Sequence, residues 1–155
     1  MNAEAPRRDR LDELAASLGG LERSERIEAL LDLAGRFRDV DPTVARRPFP
    51  EDRRVPACES QAYVFSEPLP DGTLRFHFAV ENPQGLSARA FAVLLDKAYS
   101  GAPLPEVARS AADPTTSIES IFGRELSLGK QLGLAGMLQS VAREARAHLP
   151  SQVGV

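Results

Sequence analysis

The chain has 155 residues, 43% of them hydrophobic, which is enough apolar material for one domain with a continuous core. Its 19 basic residues are interspersed among 22 acidic ones, for a formal charge of -3, so we do not expect a nucleic-acid partner. No apolar run approaches the roughly 18 residues of a membrane span, and the polar N-terminus has no signal-peptide core. These features exclude a membrane protein and favour a cytoplasmic location.

The first 37 residues predict two helices. Leu11, Leu14 and Leu18 recur at helical spacing between Arg7 and Leu18, and Gly19-Gly20 ends that run. Ser24 is expected to cap the second helix. Its predicted core-facing stripe consists of Ile27, Leu30, Leu31, Ala34 and Phe37.

A long loop and a hairpin are predicted next. Residues 39–57 contain four prolines and several charges, and they lead straight to Cys58. Strand-forming residues follow at 61–65, and apolar residues alternate over 74–80, with His77 on the solvent side. Pro70-Asp71-Gly72 supports a left-handed turn between them, so the two runs should form an antiparallel hairpin with one buried face.

Helices are predicted for the remainder of the chain. Ser87 is expected to cap a helix that Gly101 ends, and shorter helices are expected at 104–112 and 117–122, with a turn at 113–116 between them. The last helix runs from about Gln131 to Leu149. Because strands and helices are segregated along the chain, the pattern favours an α+β fold, with a small antiparallel sheet packed against helices.

Cys58 is the only cysteine, and His77 and His148 are the only histidines. One cysteine cannot form an internal disulfide, and these three residues are too few for a zinc or iron-sulfur site built by this chain alone. A lone cysteine in a cytosolic domain is most often a small buried hydrophobe. Cys58, however, follows the arginine pair Arg53-Arg54, whose charge favours a thiolate while the adjacent Glu59 opposes it, so the sequence leaves the state of the thiol open. These arginines are more often part of a solvated loop, and contact with an acidic partner surface is the minor alternative.

Three segments resemble the SufE family of sulfur acceptors. Residues 55–63, Val-Pro-Ala-Cys-Glu-Ser-Gln-Ala-Tyr, are similar to the Gly-Cys-Gln-Ser-x-Val-Trp signature of that family. Leu104-Pro105-Glu106-Val107 resembles its Thr-Pro-Glu-Ile segment, and residues 126–137 resemble its Leu-Ser/Thr-Pro-x-Arg-x-x-Gly-Leu-x-x-Met segment. The resemblance covers about residues 11–147, in the family's order of elements, within a single domain spanning 1–155.

The chain departs from the family at several positions. Ala57, Glu59, Tyr63 and Lys130 stand where the family usually has Gly, Gln, Trp and Arg. Glu125 stands where the family commonly has His, and Asn82-Pro83-Gln84 replaces an acidic segment. These differences are typical of a divergent branch with a desulfurase partner of its own.

The resemblance implies that Cys58 takes a persulfide sulfur from a SufS-like cysteine desulfurase, stimulates that enzyme and delivers sulfur to a SufBCD-like iron-sulfur scaffold. It also implies an active-site loop of Ala57, Glu59, Ser60 and Gln61. Lys130 is expected to help dock or orient the partner, with a solvated lysine as the equal alternative. The chain itself is expected to bind no cofactor, since the pyridoxal phosphate of the pathway belongs to the desulfurase.

Two alternatives stay open at this point. The first is a non-catalytic module that docks on a desulfurase and regulates it, a role that would survive replacement of Cys58 by Ser. The second is a one-cysteine thiol oxidoreductase, which would require a Cys58 thiol of low pKa and turnover of peroxide with an external thiol.

Overall fold

A computed structural model describes residues 9–110, 113–124 and 126–150. The described residues form six α-helices and a two-stranded antiparallel sheet, with a 3-10 turn at Glu51–Arg53. The predicted α+β fold, with a small antiparallel sheet against helices, is therefore confirmed. The elements are α1 (Arg10–Gly19), α2 (Arg23–Gly35), β1 (Ala62–Pro68), β2 (Leu74–Val80), α3 (Leu86–Tyr99), α4 (Leu104–Arg109), α5 (Pro114–Phe122) and α6 (Leu128–His148).

The hairpin pairs Ala62 with Val80 at one end and Pro68 with Leu74 at the other. Its turn needs a left-handed residue, which Gly72 supplies with a φ of +86°. One face of the hairpin packs against α3 and α6. Alternation places on that face the buried side chains Ala62, Val64, Leu74, Phe76, Phe78 and Val80.

The opposite face of the hairpin is covered by the segment 39–57. Val40 and Phe49 from this segment form a second apolar cluster with Phe65 and Ala79 of the strands. The Phe49 ring lies 5.3 Å from the Phe65 ring, centroid to centroid. The long proline-rich segment therefore has a structural task, which is to exclude water from the second face.

Both outer edges of the hairpin are partly occupied by other backbone or side-chain groups. On the β2 edge, Phe76 N donates to Ser100 Oγ at 3.0 Å and Gly101 N donates to Leu74 O at 2.9 Å. On the β1 edge, Val55 N donates to Ala62 O at 2.8 Å. The sheet therefore ends in satisfied hydrogen-bonding groups at these positions.

Two helices organise the core. α3 contacts α1, α2, α6 and β2, while α6 contacts α3, α4, α5 and β1. The largest fully buried side chains come from both of these helices and from their neighbours, so one apolar cluster joins all the elements. They include Tyr99, Phe91, Leu11, Leu74, Leu94, Leu95, Ile118, Ile121, Met137 and Leu138.

Three helix starts differ from the prediction. α2 begins earlier, with Glu22 at the cap position, so Ser24 lies within its first turn. α3 is preceded by Gly85 and not capped by Ser87. α6 begins at Leu128, where the Ser127 side chain accepts from Lys130 N, so Lys130 lies in the first helical turn and not in a loop.

The predicted turn at 113–116 is the first turn of α5. Asp113 caps this helix by accepting from Thr116 N, and Pro114 occupies the first helical position. An Asp cap followed by proline is a helix-start signal, because the missing N–H of proline costs nothing at the first helical position. The same residues also favour a turn, which is why the sequence predicted one.

Two side chains are placed differently from the prediction. The stripe of α2 is rotated, because Ile27 and Leu31 are 45% and 52% exposed, while the neighbouring Leu33 packs against the core. His77 is more enclosed than its strand position predicts. Its side chain is 16% exposed and its Nε2 lies 3.3 Å from Glu67 Oε1.

Some predicted features fall outside the described residues. These are the start of the first helix at Arg7, the end of the helix predicted to Ala112, and Glu125. Within the described ranges, no helix is both long and apolar enough to cross a membrane.

Asp9 links the start of α1 to the end of α3. One oxygen of its side chain, Oδ1, accepts from Leu11 N at 2.8 Å and from Tyr99 Oη at 2.7 Å. Burial is the main cause that raises the pKa of Asp9, and the carboxylates of Asp12 and Glu106 add to it, while the two hydrogen bonds oppose it. Burial also raises the pKa of Tyr99, which keeps this phenol protonated as a donor.

We predict that Asp9→Ala lowers the free energy of unfolding by about 2–3 kcal/mol, because it removes both a helix cap and the acceptor of the buried Tyr99 hydroxyl. Asp9→Asn keeps an acceptor and should be close to neutral. Urea unfolding curves measure both values. A loss of equal size in the two variants would contradict the assigned roles.

The same pair predicts a pH dependence. Because the pKa of Asp9 is raised above its ordinary 3.8 in the folded state, its contribution to stability is greatest below that value and is lost as pH rises through the folded-state pKa. Asp9→Asn should therefore gain stability relative to the native protein between pH 4 and pH 7. Urea midpoints at the two pH values test this, and a constant difference would refute it.

Candidate functional site

Cys58 is the first residue of a tight turn. Gln61 N donates to Cys58 O at 3.1 Å, which closes a four-residue turn over Glu59 and Ser60. Ala57 and Gln61, on either side, both have left-handed backbone, with φ of 59° and 52°. We call residues 57–61 the cysteine turn.

Main-chain hydrogen bonds hold the cysteine turn against the end of β2. Glu81 N donates to Gln61 O and Asn82 N donates to Ser60 O, both at 3.1 Å. Val55 N, just before the turn, donates to Ala62 O. These bonds join main-chain atoms only, so they do not depend on particular side-chain donors or acceptors at residues 59–61.

Three glycines of α6 leave room for the residues around Cys58: Gly133 and Gly136 for their backbone, and Gly129 for the Glu59 side chain. A Cβ atom at Gly133 would lie 3.2 Å from Cys58 Cα and 3.4 Å from its Sγ. One at Gly136 would lie 2.9 Å from Val55 Cγ1 and 3.0 Å from Pro56 O. One at Gly129 would lie 3.0 Å from Glu59 Oε1. We call Gly129, Gly133 and Gly136 the glycine face.

Cys58 lies in the wall of a cavity of about 450 Å³. The residue is only 8% exposed. Apolar side chains from α2, α3, α5 and α6 line most of the cavity. Its polar lining residues are Glu59, Ser60, Asn82, Gln84, Ser87 and Lys130. A second concave region of about 550 Å³, lined by residues 51 and 54–59, also reaches Cys58. Cys58 is therefore sheltered from solvent, but the cysteine turn has a concave region on each of two sides.

The structure brings together some of the predicted site residues and separates others. Cys58, Glu59, Ser60 and the exposed Lys130 line the same cavity, while Ala57 and Arg54 line the second concave region. Gln61 contributes backbone bonds. Arg53 is held by α6, where its Nη1 binds Glu144 Oε1.

Large apolar side chains are exposed around the cavity. Ile27, Leu31 and Leu86 line it and are 45%, 52% and 49% exposed. On α6, Leu128 and Leu132 are next in sequence to Gly129 and Gly133, which line the cavity, and are 70% and 52% exposed. We call these five residues the apolar rim. Clustered exposed hydrophobic residues are typical of surfaces that contact other proteins.

Sequence reasoning missed the glycine face and Asn82 as parts of the site. Gly129, Gly133 and Gly136 are spaced by four and three residues, so they share one helical face, and this spacing was a usable signal. Asn82 acts through its backbone N–H, which no side-chain pattern reveals. Among the described residues, no group of three or more His, Cys, Asp and Glu side chains is placed to hold a metal ion.

The left-handed backbone at Ala57 generates a prediction. Glycine adopts this conformation without steric cost, whereas a Cβ atom disfavours it, so Ala57→Gly should raise the free energy of unfolding by about 1 kcal/mol. Ala16→Gly is the matched control, because exposed Ala16 lies within α1, where the same change should lower stability by about 1 kcal/mol. Urea unfolding measures both, and a loss at position 57 would contradict the prediction.

The glycine face generates another prediction. Gly136→Ala should lower the free energy of unfolding by about 1–3 kcal/mol, because the new methyl group would overlap Pro56 O and Val55. Gly35→Ala, at the end of α2 with no atom within 4 Å of the new Cβ, should be neutral or stabilising by up to about 1 kcal/mol. If Gly136→Ala were as stable as Gly35→Ala, close packing would not govern this contact.

Comparison with solved structures supports the fold. The chain is similar to a protein described as the solution structure of a hypothetical protein from Thermus thermophilus, with a TM-score of 0.68 and 21% sequence identity. The match covers 90% of this chain and 95% of that one. No curated protein sequence matches the chain.

The family comparison is more specific. The sequence model of SufE, described as an Fe-S metabolism associated domain, matches residues 12–145. This range contains the cysteine turn, the glycine face and every helix and strand except the first two residues of α1 and the last three of α6. The resemblance found in the sequence is confirmed, and its implied role is in Fe-S metabolism. The chain belongs to the SufE family.

Proposed function

We propose that Cys58 accepts a sulfane sulfur from a cysteine desulfurase and delivers it for iron-sulfur cluster assembly. The main support is the placement of this one cysteine. In a SufE-family chain, Cys58 opens a backbone-anchored turn in the wall of a cavity with an apolar rim. Such a site suits contact between two proteins better than binding of a diffusing small substrate.

The proposed reaction is a thiol exchange without net oxidation. The Cys58 thiol loses its proton, and its Sγ attacks the outer sulfur of a cysteine persulfide on the desulfurase. The new Sγ–S bond forms as the donor's S–S bond breaks, and the donor cysteine leaves as a thiolate that takes up a proton. Cys58 then carries the persulfide, ready for the same exchange with the next acceptor.

Shelter of the sulfur has a chemical advantage in this role. Reactive thiols and persulfides are open to irreversible oxidation in proportion to their exposure. At 8% exposure, Cys58 meets little solvent oxidant at rest. A partner that docks on the apolar rim would then supply both the sulfur and the access to it.

The surface around Cys58 offers both apolar and charged contacts to the desulfurase. The apolar rim supplies the buried area, and Lys130 supplies exposed positive charge, to which Arg54 adds although it lies 3.9 Å from Glu51 Oε2. Arg53 contributes less in this proposal, because Glu144 already neutralises its charge.

The chain needs no cofactor of its own in this proposal. Pyridoxal phosphate stays with the desulfurase, a SufBCD-like scaffold is the proposed acceptor, and the cytoplasm is the proposed location. In this proposal the sulfur is transferred from one protein cysteine to the next.

Intact-mass analysis tests the proposal. The protein is incubated with a cysteine desulfurase of the same organism and free cysteine, and Cys58→Ser is treated in parallel. We expect the native protein to gain one or more sulfur atoms that a reductant removes, and the variant to gain none. Because thiolate exchange needs Sγ, this loss should be complete.

Desulfurase turnover in the same samples separates the alternatives. Turnover that rises with the native protein but not with Cys58→Ser supports sulfur acceptance. If no sulfur is added and both proteins stimulate turnover equally, the chain acts as a regulatory docking module. If neither sulfur addition nor stimulation is observed with a desulfurase that binds the chain, the proposed function is wrong.

A further inference from the structure

We propose that Arg89 is a positioning residue that holds the cysteine turn in its sheltered place, acting through the backbone that follows β2. Arg89 lies in the first turns of α3 and does not itself line the cavity. Its effect on Cys58 is therefore indirect. This role follows from the contacts of the turn and is independent of the proposed sulfur transfer.

The guanidinium group of Arg89 binds three carbonyls of one short segment. Its Nη2 donates to Val80 O and to Asn82 O, both at 3.3 Å, and its Nη1 donates to Pro83 O at 3.4 Å. A planar fork of donors can span several carbonyls at once, and a charged donor strengthens each bond. Arg89 thus fixes the path of residues 80–83 as they leave the strand.

The same segment carries the cysteine turn. Glu81 N and Asn82 N are the donors to Gln61 O and Ser60 O. The main-chain carbonyl of Asn82 therefore accepts from Arg89, and its main-chain N–H donates to the turn. A shift of this residue would move the turn with it. Packing is tight here as well, because a Cβ at Gly85 would lie 2.9 Å from Ser60 Oγ.

The surroundings of Arg89 hold the side chain in one place. Its guanidinium carbon lies 5.8 Å from the centre of the Phe37 ring. Its Nε is buried and has no hydrogen-bond partner among the described residues, which is an unfavourable arrangement for an arginine. The position thus carries a desolvation cost that the three carbonyl bonds offset.

The rate at which a small neutral alkylating reagent modifies Cys58 measures the position of the turn. Intact mass follows this reaction in the full chain, and urea midpoints give global stability. Arg89→Met removes the donors while keeping most of the side-chain volume. Arg89→Lys keeps the positive charge but loses the planar guanidinium group that binds several carbonyls at once.

We expect Arg89→Met to raise the alkylation rate about tenfold, because loss of the carbonyl bonds increases local opening of the turn. Arg89→Lys should fall between this variant and the native protein. Arg36→Met is the matched control, because it removes an exposed guanidinium whose ion pair in the described part of the chain is with Asp32. This variant should not change the alkylation rate.

Asp9→Ala separates positioning from general destabilisation, because it weakens the fold at the far end of α3. If Arg89→Met leaves the rate unchanged, or if Asp9→Ala raises it equally at an equal loss of urea midpoint, the proposal is overturned. Should Arg89→Met not fold, a rate for Arg89→Lys above that of the native protein supports the proposal and an unchanged rate overturns it. Failure of sulfur uptake by the native protein would leave this result intact.

Discussion

The close approach between the cysteine turn and the glycine face of α6 is the contact on which the site depends. Gly133 brings the helix within reach of Cys58 Cα and Sγ, and Gly136 does the same for the backbone at Pro56. Any side chain at these two positions would separate the turn from the helix. Because α6 also packs on β1, α3, α4 and α5, the helix that closes the core also forms one wall of the site.

The end of β2 is held from two sides by arginines of different segments. Arg47, from the segment that covers the outer face of the hairpin, binds the Glu81 side chain at 2.7 Å. Arg89, from α3 on the inner face, binds the neighbouring carbonyls. The cysteine turn hydrogen-bonds to the residues between them, so its position reflects the packing of both faces of the hairpin.

Periodicity was sufficient to predict the second strand of the hairpin and the first helix, since alternation at 74–80 and the spacing of leucines in α1 are strong signals. Helix starts were less predictable, because Ser24 and Ser87 are good caps that other residues displaced. The cover on the outer hairpin face depends on two residues, Val40 and Phe49, within a polar segment.

The site was predictable only in part. Cys58 was found because its surroundings resemble a family signature, and the left-handed backbone of Ala57 accounts for the glycine usual there. The cavity, the apolar rim and the contacts of Arg89 arise from residues distant in sequence, so no local pattern contains them. The glycine face does not stand out in a hydrophobic pattern, because glycine adds nothing to it; only the four- and three-residue spacing of the glycines indicates a shared helical face.

The closed edges of the hairpin have a consequence for self-association. A two-stranded sheet normally offers two free edges on which a strand of another molecule can add, which is a common route to aggregation. Here Ser100 and Gly101 occupy part of one edge, and the backbone at Arg54 and Val55 occupies part of the other. A protein with an exposed apolar rim is in this way protected from strand addition at those positions.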